Sequence, residues 1–243
     1  MKYVLFDLDR TLWDFDYNAD ITFRSMYNDL NIGKICRVEY DSFHEHYKSI
    51  NNVLWEAYRN GTLMKEQLSI KRFSLTLCSF GLREDSNDVL RLARQMSDYY
   101  VMRGPLQKKL VSGAEDILIW LYEQPELFEI DVITNGFSEA QVPKMKSSGI
   151  YKYVKHVFLS EDIGYMKPHR MFFAGVLERL GAKPGECVVV GDDYKVDIAG
   201  AACAGIPQVY FNPQRIEIPA GGAAPTYQVH HLSELKEILR NNN

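Results

Sequence analysis

The sequence predicts an α/β fold: a parallel sheet between layers of helices, with a bundle of four helices inserted after the first strand. Two observations carry this expectation. Beyond residue 106, short apolar runs (EIDVITNG, KHVFLSED, ECVVVGDD and PQVYFN) alternate with helical patterns, and strand–helix–strand succession means parallel pairing through right-handed crossovers. From Asn18 to about Tyr100, by contrast, the pattern is helical throughout.

The first strand is read from KYVLFDLDRTLWD, where Tyr3 to Phe6 and Leu8 are apolar and Asp7, Asp9 and Asp14 crowd the far end. The inserted stripes follow. Phe23, Met26, Tyr27 and Leu30 make one; Phe43, Tyr47, Ile50, Leu54 and Tyr58 a second; Phe73, Leu77 and Phe80 a third; Val89, Leu92, Ala93 and Met96 a fourth. Each is one face of an amphipathic helix, and Asn60-Gly61 and Gly81 fall between stripes, where turns are needed. In the core, helices are expected at 114–123, 138–147, 169–180 and 196–204, and a terminal helix capped by Ser233. The apolar runs between them are continuous rather than alternating, as in strands covered on both faces. EIPAGGAAPTY reads as an exposed loop. The expected domains are therefore a discontinuous core, 1–13 and 106–243, and a helical insert, 14–105.

Composition narrows the function classes. Apolar residues are 46% and charged residues 25% of 243, enough for a large buried core. A net charge of -4 gives no electrostatic case for a nucleic acid polymer or an anionic membrane surface. No apolar run is long enough to span a bilayer, and the acidic end of the first strand arrives too soon for a signal peptide, so a cytoplasmic location is expected. Cys36, Cys78, Cys187 and Cys203 are scattered without a C-x-x-C pair, which argues against structural zinc and for reduced, buried thiols.

Each core strand ends in chemically pointed residues: Asp7 and Asp9; Thr134-Asn135-Gly136; Glu161-Asp162 followed by Lys167-Pro168; and Gly191-Asp192-Asp193 with Asp197 close behind. In an open parallel sheet all these carboxyl ends share one edge, where ligands bind. Taken singly, each has an ordinary reading as a turn, a cap or a solvated lysine. Together they put several carboxylates beside a lysine and a threonine. Clustered carboxylates repel one another unless a cation relieves them, and carboxylate oxygen suits Mg²⁺. A lysine, a hydroxyl and backbone N–H groups make an anion cradle. Anion donors opposite a magnesium site describe phosphoryl transfer. Asp7 is then the expected carboxylate nucleophile and Asp9 the proton donor and acceptor; in extended backbone, residues two apart face one side.

DLDRT, ITNG, Lys167-Pro168 and GDDYKVD resemble, in order and spacing, the four motifs of the haloacid dehalogenase-like hydrolases. The resemblance implies a Rossmann-like three-layer core and makes the helical insert similar to that superfamily's first type of cap. It implies Asp7 as nucleophile and magnesium ligand, and Asp9 as general acid/base with its backbone carbonyl on the metal. It further implies Thr134 and the Asn135 backbone N–H on phosphate, Lys167 paired with both nucleophile and phosphate, and Asp192 completing the Mg²⁺ sphere. Asp197 is implied to act through water or by orienting Lys167. Two departures stand out: Arg10 where the family often has Gly, and Asp193 where Ser or Thr often follows, which leaves open which of Asp192 and Asp193 meets the metal. Haloacid dehalogenases lack the second catalytic Asp, so Asp9 argues against that activity. TNGF and FLSEDIGYMKP look most like the pyrimidine 5'-nucleotidase branch; a sugar-phosphate phosphatase such as the acylneuraminate 9-phosphatases, and a phosphomutase, stay open, as does a non-catalytic scaffold binding a phosphorylated ligand. The expected partner is a small phosphorylated metabolite.

For specificity the candidates are Trp13, Asp14 and Phe15, just past the catalytic strand, where an aromatic ring stacks a base or instead packs the hinge. His44-Glu45-His46 places two histidines two apart on a helix, on different sides, and so does not make a metal pair. His169 is expected to cap the next helix. No P-loop, dinucleotide or serine-hydrolase motif is present.

Overall fold

A computed structural model describes residues 1–242. Contacts divide the chain into two compact units: Met1–Asp16 together with the chain from Lys108 onward, and Tyr17–Gln107. The boundaries thus lie a few residues beyond the expected 13/14 and 105/106.

The first unit is a six-stranded sheet in the order β3-β2-β1-β4-β5-β6. The strands are β1 (Tyr3–Phe6), β2 (Glu129–Thr134), β3 (His156–Leu159), β4 (Cys187–Gly191), β5 (Gln208–Phe211) and β6 (Tyr227–Val229). All neighbours are parallel, and Val4 lies opposite Ile130 on one side and Val188 on the other. The helices of this unit are α6 (Ala114–Tyr122), α7 (Ser138–Ser147), α8 (Ser160–Ile163), α9 (Arg170–Leu180), α10 (Ala199–Cys203) and α11 (Leu235–Arg240). The other five, α1 (Phe15–Asp29), α2 (Ile32–Cys36), α3 (Tyr40–Arg59), α4 (Lys65–Cys78) and α5 (Asn87–Arg103), make the insert, where four were expected; α2, of five residues, is too short to show a helical period.

Alternation along the central strands builds two cores. Val4, Phe6, Val132, Val188 and Val190 face one side, with Ile117, Leu118 and Leu121 of α6, Met145 of α7 and Leu235 and Leu239 of α11. Leu5, Ile133 and Val189 face the other, with Phe172, Phe173 and Val176 of α9 and Ala201 of α10. Covering both faces is what lets the strands read as unbroken apolar runs. Each such side chain contributes roughly 1.5–3 kcal/mol on leaving water.

In the helical unit, Phe23 is the hub, its ring 4.2 Å from Tyr47, 5.1 Å from Tyr100 and 6.2 Å from Phe73. Arg72 is buried there, its guanidinium 5.0 Å from both the Phe73 and Tyr100 rings, an arrangement that aromatic faces favour. His44 stacks on Phe23 while His46 bonds the Ser42 carbonyl, so the two histidines do diverge.

Several expectations need correction. β6 was unforeseen: three residues at the sheet edge carry too little pattern. Ser233 does not cap the terminal helix: it lies inside a 3₁₀ turn, Leu232–Glu234, that precedes α11 and is itself capped by His231, whose ring accepts from the Ser233 N–H. The helix expected at 196–204 begins instead as a π-helical turn, Tyr194–Ile198, leading into α10. All four thiols are free, but only Cys36 and Cys187 are buried; Cys78 is half-buried and Cys203 exposed. His169 caps α9, accepting from the Met171 N–H at 3.2 Å.

Candidate active site

The site is assembled at the carboxyl edge of the sheet. Directly after β1, the Asp7 N–H continues the ladder onto Val190 O at 2.9 Å, which fixes its backbone. Lys167, 1% exposed, reaches the same place from the loop before α9. Its Nζ donates to Asp7 Oδ1 at 2.6 Å, to Asp197 Oδ1 at 2.6 Å and to Ile133 O at 3.0 Å. Burial works against the ammonium, but Asp197 and Asp7 outweigh it and raise the lysine's affinity for its proton. Burial likewise pushes Asp7 up to about 7, opposed by Lys167 and reinforced by the Asp197 and Asp9 charges. A buried charge is tolerable only in such paired, fully bonded surroundings.

Thr134 and Asn135 close β2. Thr134 Oγ1 accepts from Gly136 N–H at 3.0 Å and from Gln141 Nε2 at 3.1 Å. The Asn135 side chain is spent on the Lys167 backbone, donating to its carbonyl and accepting from its N–H, both at 2.8 Å. Gly136 is required by packing: a Cβ there would lie 1.5 Å from Gln141 Nε2.

Asp9 does not join the other carboxylates through its side chain. Lys144 Nζ donates to Oδ1 at 2.6 Å and Oδ2 at 2.8 Å, and Gln141 Nε2 to Oδ2 at 2.9 Å. The cluster able to hold a cation is instead Asp7, Asp192 and Asp197, each offering an oxygen within 4.8 Å of the others. Burial raises Asp192 well above the ordinary carboxylate range, and Asp7 and Asp197 add to it. An all-carboxylate set under this mutual repulsion is the chemistry that Mg²⁺ relieves, so the residues fit the ion. Asp197 already accepts from Lys167 on one oxygen and from Asp193 N–H, at 3.1 Å, on the other, which suits it to orienting the lysine. Asp193 is exposed and caps the following turn, its Oδ1 accepting from Lys195 N–H and Val196 N–H at 2.9 and 3.0 Å. Between the two, Asp192 is the one in the cluster; Thr11 donates to its Oδ1 at 3.2 Å.

The specificity candidates fare unevenly. Trp13 is 2% exposed and belongs to the core with Leu8 and Leu12, so it is no open platform for a base; its backbone bridges to Leu110. Phe15 is half-buried beside it, ring centroids 6.3 Å apart. Asp14 is half-buried, its N–H on Lys109 O at 3.0 Å. Arg10, at φ 67°, occupies the left-handed region that favours glycine. Its guanidinium is turned onto Asp16, with bonds of 2.9 to 3.1 Å, and over the Phe15 ring at 4.5 Å.

Lys144 and Gln141 escaped sequence reasoning altogether. Their available signal was a Gln and a Lys three apart on the helix leaving Thr134, on a face that buries both.

Residues 1–205 match the family described as haloacid dehalogenase-like hydrolase. The chain belongs to that family. As a haloacid dehalogenase-like hydrolase it is 31% identical to YfnB of Bacillus subtilis, named as a HAD-hydrolase, over 97% of this chain and 94% of that one. The crystal structure of YfnB, described as bound to magnesium and as revealing interdomain movement, superposes with a TM-score of 0.85 at 29% identity, covering 98% of both chains. The pyrimidine 5'-nucleotidase PynA of Streptococcus pneumoniae is 29% identical over 99% of this chain and 96% of its own. The pyrimidine 5'-nucleotidase YjjG of Escherichia coli is 27% identical over 98% and 97%. Among the described residues, no helix is long and apolar enough to cross a membrane.

Proposed function

We propose that this hydrolase is a Mg²⁺-dependent phosphomonoesterase that works through an aspartyl-phosphate and prefers nucleoside 5'-monophosphates. The observation that carries the reading is Asp7: a buried carboxylate at a strand end, held by Lys167 at 2.6 Å, with Asp192 in the same cluster and Asp9 two residues on. The preference for a nucleotide leans on PynA and YjjG, whose names give that activity over nearly the full length of the chain.

In the first half-reaction an Asp7 oxygen attacks phosphorus while the bond to the ester oxygen breaks, and the Asp9 carboxylic acid gives its proton to that departing oxygen. In the second, the Asp9 carboxylate takes a proton from water, the water oxygen attacks phosphorus, and the bond to Asp7 breaks to release inorganic phosphate. Such proton transfer contributes typically about 10²–10⁴-fold in rate. The Lys167 ammonium orients Asp7 and offsets negative charge on the transferring group. The Thr134 hydroxyl and the Asn135 and Gly136 backbone at the head of α7 suit the phosphate oxygens. Asp7, Asp192 and the Asp9 carbonyl would hold Mg²⁺, which would supply charge neutralisation; Asp197 keeps Lys167 in place.

The test is inorganic phosphate release from a panel of nucleoside monophosphates and sugar phosphates, with magnesium and with a chelator. Magnesium-dependent release favouring a pyrimidine nucleotide supports the full reading. Release mainly from a sugar phosphate keeps the chemistry and moves the specificity. Isomerised product without net phosphate release replaces the phosphatase with a mutase, and no release from any member returns the binding scaffold.

A further inference from the structure

We infer that Lys144, assisted by Gln141, is the positioning residue that aims the Asp9 carboxyl group at the leaving-group oxygen; the inference rests on the reading of Asp9 as general acid/base.

Asp9 lies beyond the end of β1, where an isolated bridge to Trp13 holds its backbone but leaves its side chain, a quarter exposed (25%), to be placed by other groups. An aspartate so placed has several staggered rotamers available, most of them useless for proton transfer. Three contacts from two donor groups select one of them. Lys144 Nζ spans both oxygens at 2.6 and 2.8 Å, and Gln141 Nε2 takes Oδ2 at 2.9 Å. Both donors come from α7, the helix that leaves the Thr134 loop, and Gln141 Nε2 also lies 3.1 Å from Thr134 Oγ1. One rigid element therefore references Asp9 to the hydroxyl expected on the phosphate.

Lys144 is itself held. It is 7% exposed, and its ammonium lies 4.5 Å from the Trp13 ring centre and 5.5 Å from that of Phe15. Aromatic faces attract a cation, so the two rings serve as the seat for the clamp. A helix position so buried is cheaper to fill with Leu; a lysine whose Nζ reaches only across to Asp9 has a use at Asp9. Misplacement of a reacting group by about 1 Å can cost on the order of 10²-fold, which is the size of effect such a clamp protects.

Positioning of a general acid predicts a dependence on leaving group that general loss of structure does not. A nucleoside monophosphate leaves as an alkoxide and needs the proton; p-nitrophenyl phosphate leaves as a stable phenolate and does not. kcat/KM, which reports steps up to formation of the phosphoenzyme, is to be measured on both for Lys144→Met, Lys144→Arg, Gln141→Leu and Asp9→Asn. Lys144→Met is expected to lose about 10²-fold on the nucleotide and less than about tenfold on p-nitrophenyl phosphate. Lys144→Arg, which keeps the charge and the donors, should recover most of the loss, and Gln141→Leu should show the same selectivity at smaller size. Equal losses on both substrates, no loss, or a gain with Lys144→Met would overturn the inference. If Lys144→Met does not fold, the selectivity of Gln141→Leu against that of Lys144→Arg decides the matter in the same terms. Asp9→Asn separates the two levels: selective loss there without selective loss at Lys144 sinks only the clamp, whereas full nucleotide activity in Asp9→Asn sinks the role of Asp9 itself.

Discussion

The Asn135 side chain and the Lys167 backbone form a closed pair: Asn135 Nδ2 donates to the Lys167 carbonyl and the Lys167 N–H donates to Asn135 Oδ1, both at 2.8 Å. The pair ties the end of β2 to the loop before α9, and so sets where the Lys167 ammonium emerges. Asn135→Ala leaves two backbone groups unpaired, at about 1–3 kcal/mol of stability. Because the lysine then loses its reference point, kcat should fall by about 10–10²-fold. Urea unfolding and steady-state kinetics read the two effects separately; a stability loss with unchanged kcat would limit Asn135 to a structural role.

Asp7→Asn keeps the shape of the side chain and removes the nucleophile. Asparagine still accepts from Lys167 through one oxygen, so the fold should survive while turnover falls below detection. Circular dichroism and phosphate release test this together. Near-normal activity in a folded variant would show that the nucleophile is elsewhere.

Asp192 is buried beside Asp7 and Asp197, and burial, with their repulsion adding to it, raises its affinity for a proton well above the usual value. Magnesium should therefore raise the melting temperature of the protein, because a ligand that binds only the native state stabilises it by mass action. Asp192→Asn is expected to lose most of that magnesium-dependent increase while melting no lower than the parent in chelator. An undiminished increase would mean that the ion is held without Asp192.

What the sequence makes legible here depends on whether a residue's partners are implied by topology. Asp7, Thr134 and Asp192 lie at or just past strand ends, where parallel pairing alone brings them to one edge, and Lys167 follows on the loop between α8 and α9. The sheet itself was readable for the same reason: Val188 to Val190 announces a strand covered on both faces. Lys144 had no such signal. It and Asp9 are separated by 135 positions, and in sequence it looks like any lysine of an amphipathic helix. Trp13 was ambiguous because a ring next to a catalytic edge reads the same whether it points to solvent or core; in the structure it is packed in the core. β6 was invisible because three edge residues after a Gly- and Pro-rich loop lack a period.

Gly136 offers a test of packing behind the site. A methyl group there would sit 1.5 Å from Gln141 Nε2 and 2.4 Å from its Cδ. Gln141 is 1% exposed, so its side chain has little room to retreat. Gly136→Ala should cost about 1–3 kcal/mol, as overpacking does, and should lower kcat by breaking the Gln141 links to Asp9 and Thr134. Pairing it with Gln141→Ala gives the check: if the clash is the cause, the double variant recovers stability relative to Gly136→Ala, and strict additivity would point to the backbone instead.

Asp131, 0% exposed on β2, accepts from the His156 N–H at 3.1 Å and lies 2.9 Å from His156 Nδ1, both through Oδ1, while its Oδ2 is buried without a hydrogen-bond partner. Burial pushes its pKa from 3.8 up to about 6, His156 pulling the other way and the Glu129 charge adding to the rise. A carboxyl group whose proton is held more tightly in the native state than in the unfolded one stabilises the fold at low pH. That contribution is full below the unfolded value, declines as pH climbs from about 4 to about 6, and is gone above. The slope is limited to about 1.4 kcal/mol per pH unit. Asp131→Asn cannot titrate, so its stability relative to the parent should rise across that window and become constant above it, whatever fixed cost the new amide brings. Urea unfolding at pH 4, 5, 6 and 7 measures the difference directly, and the comparison cancels every other titrating group shared by the two proteins. A difference that stays flat from pH 4 to 7 would mean that His156 holds Asp131 ionised throughout.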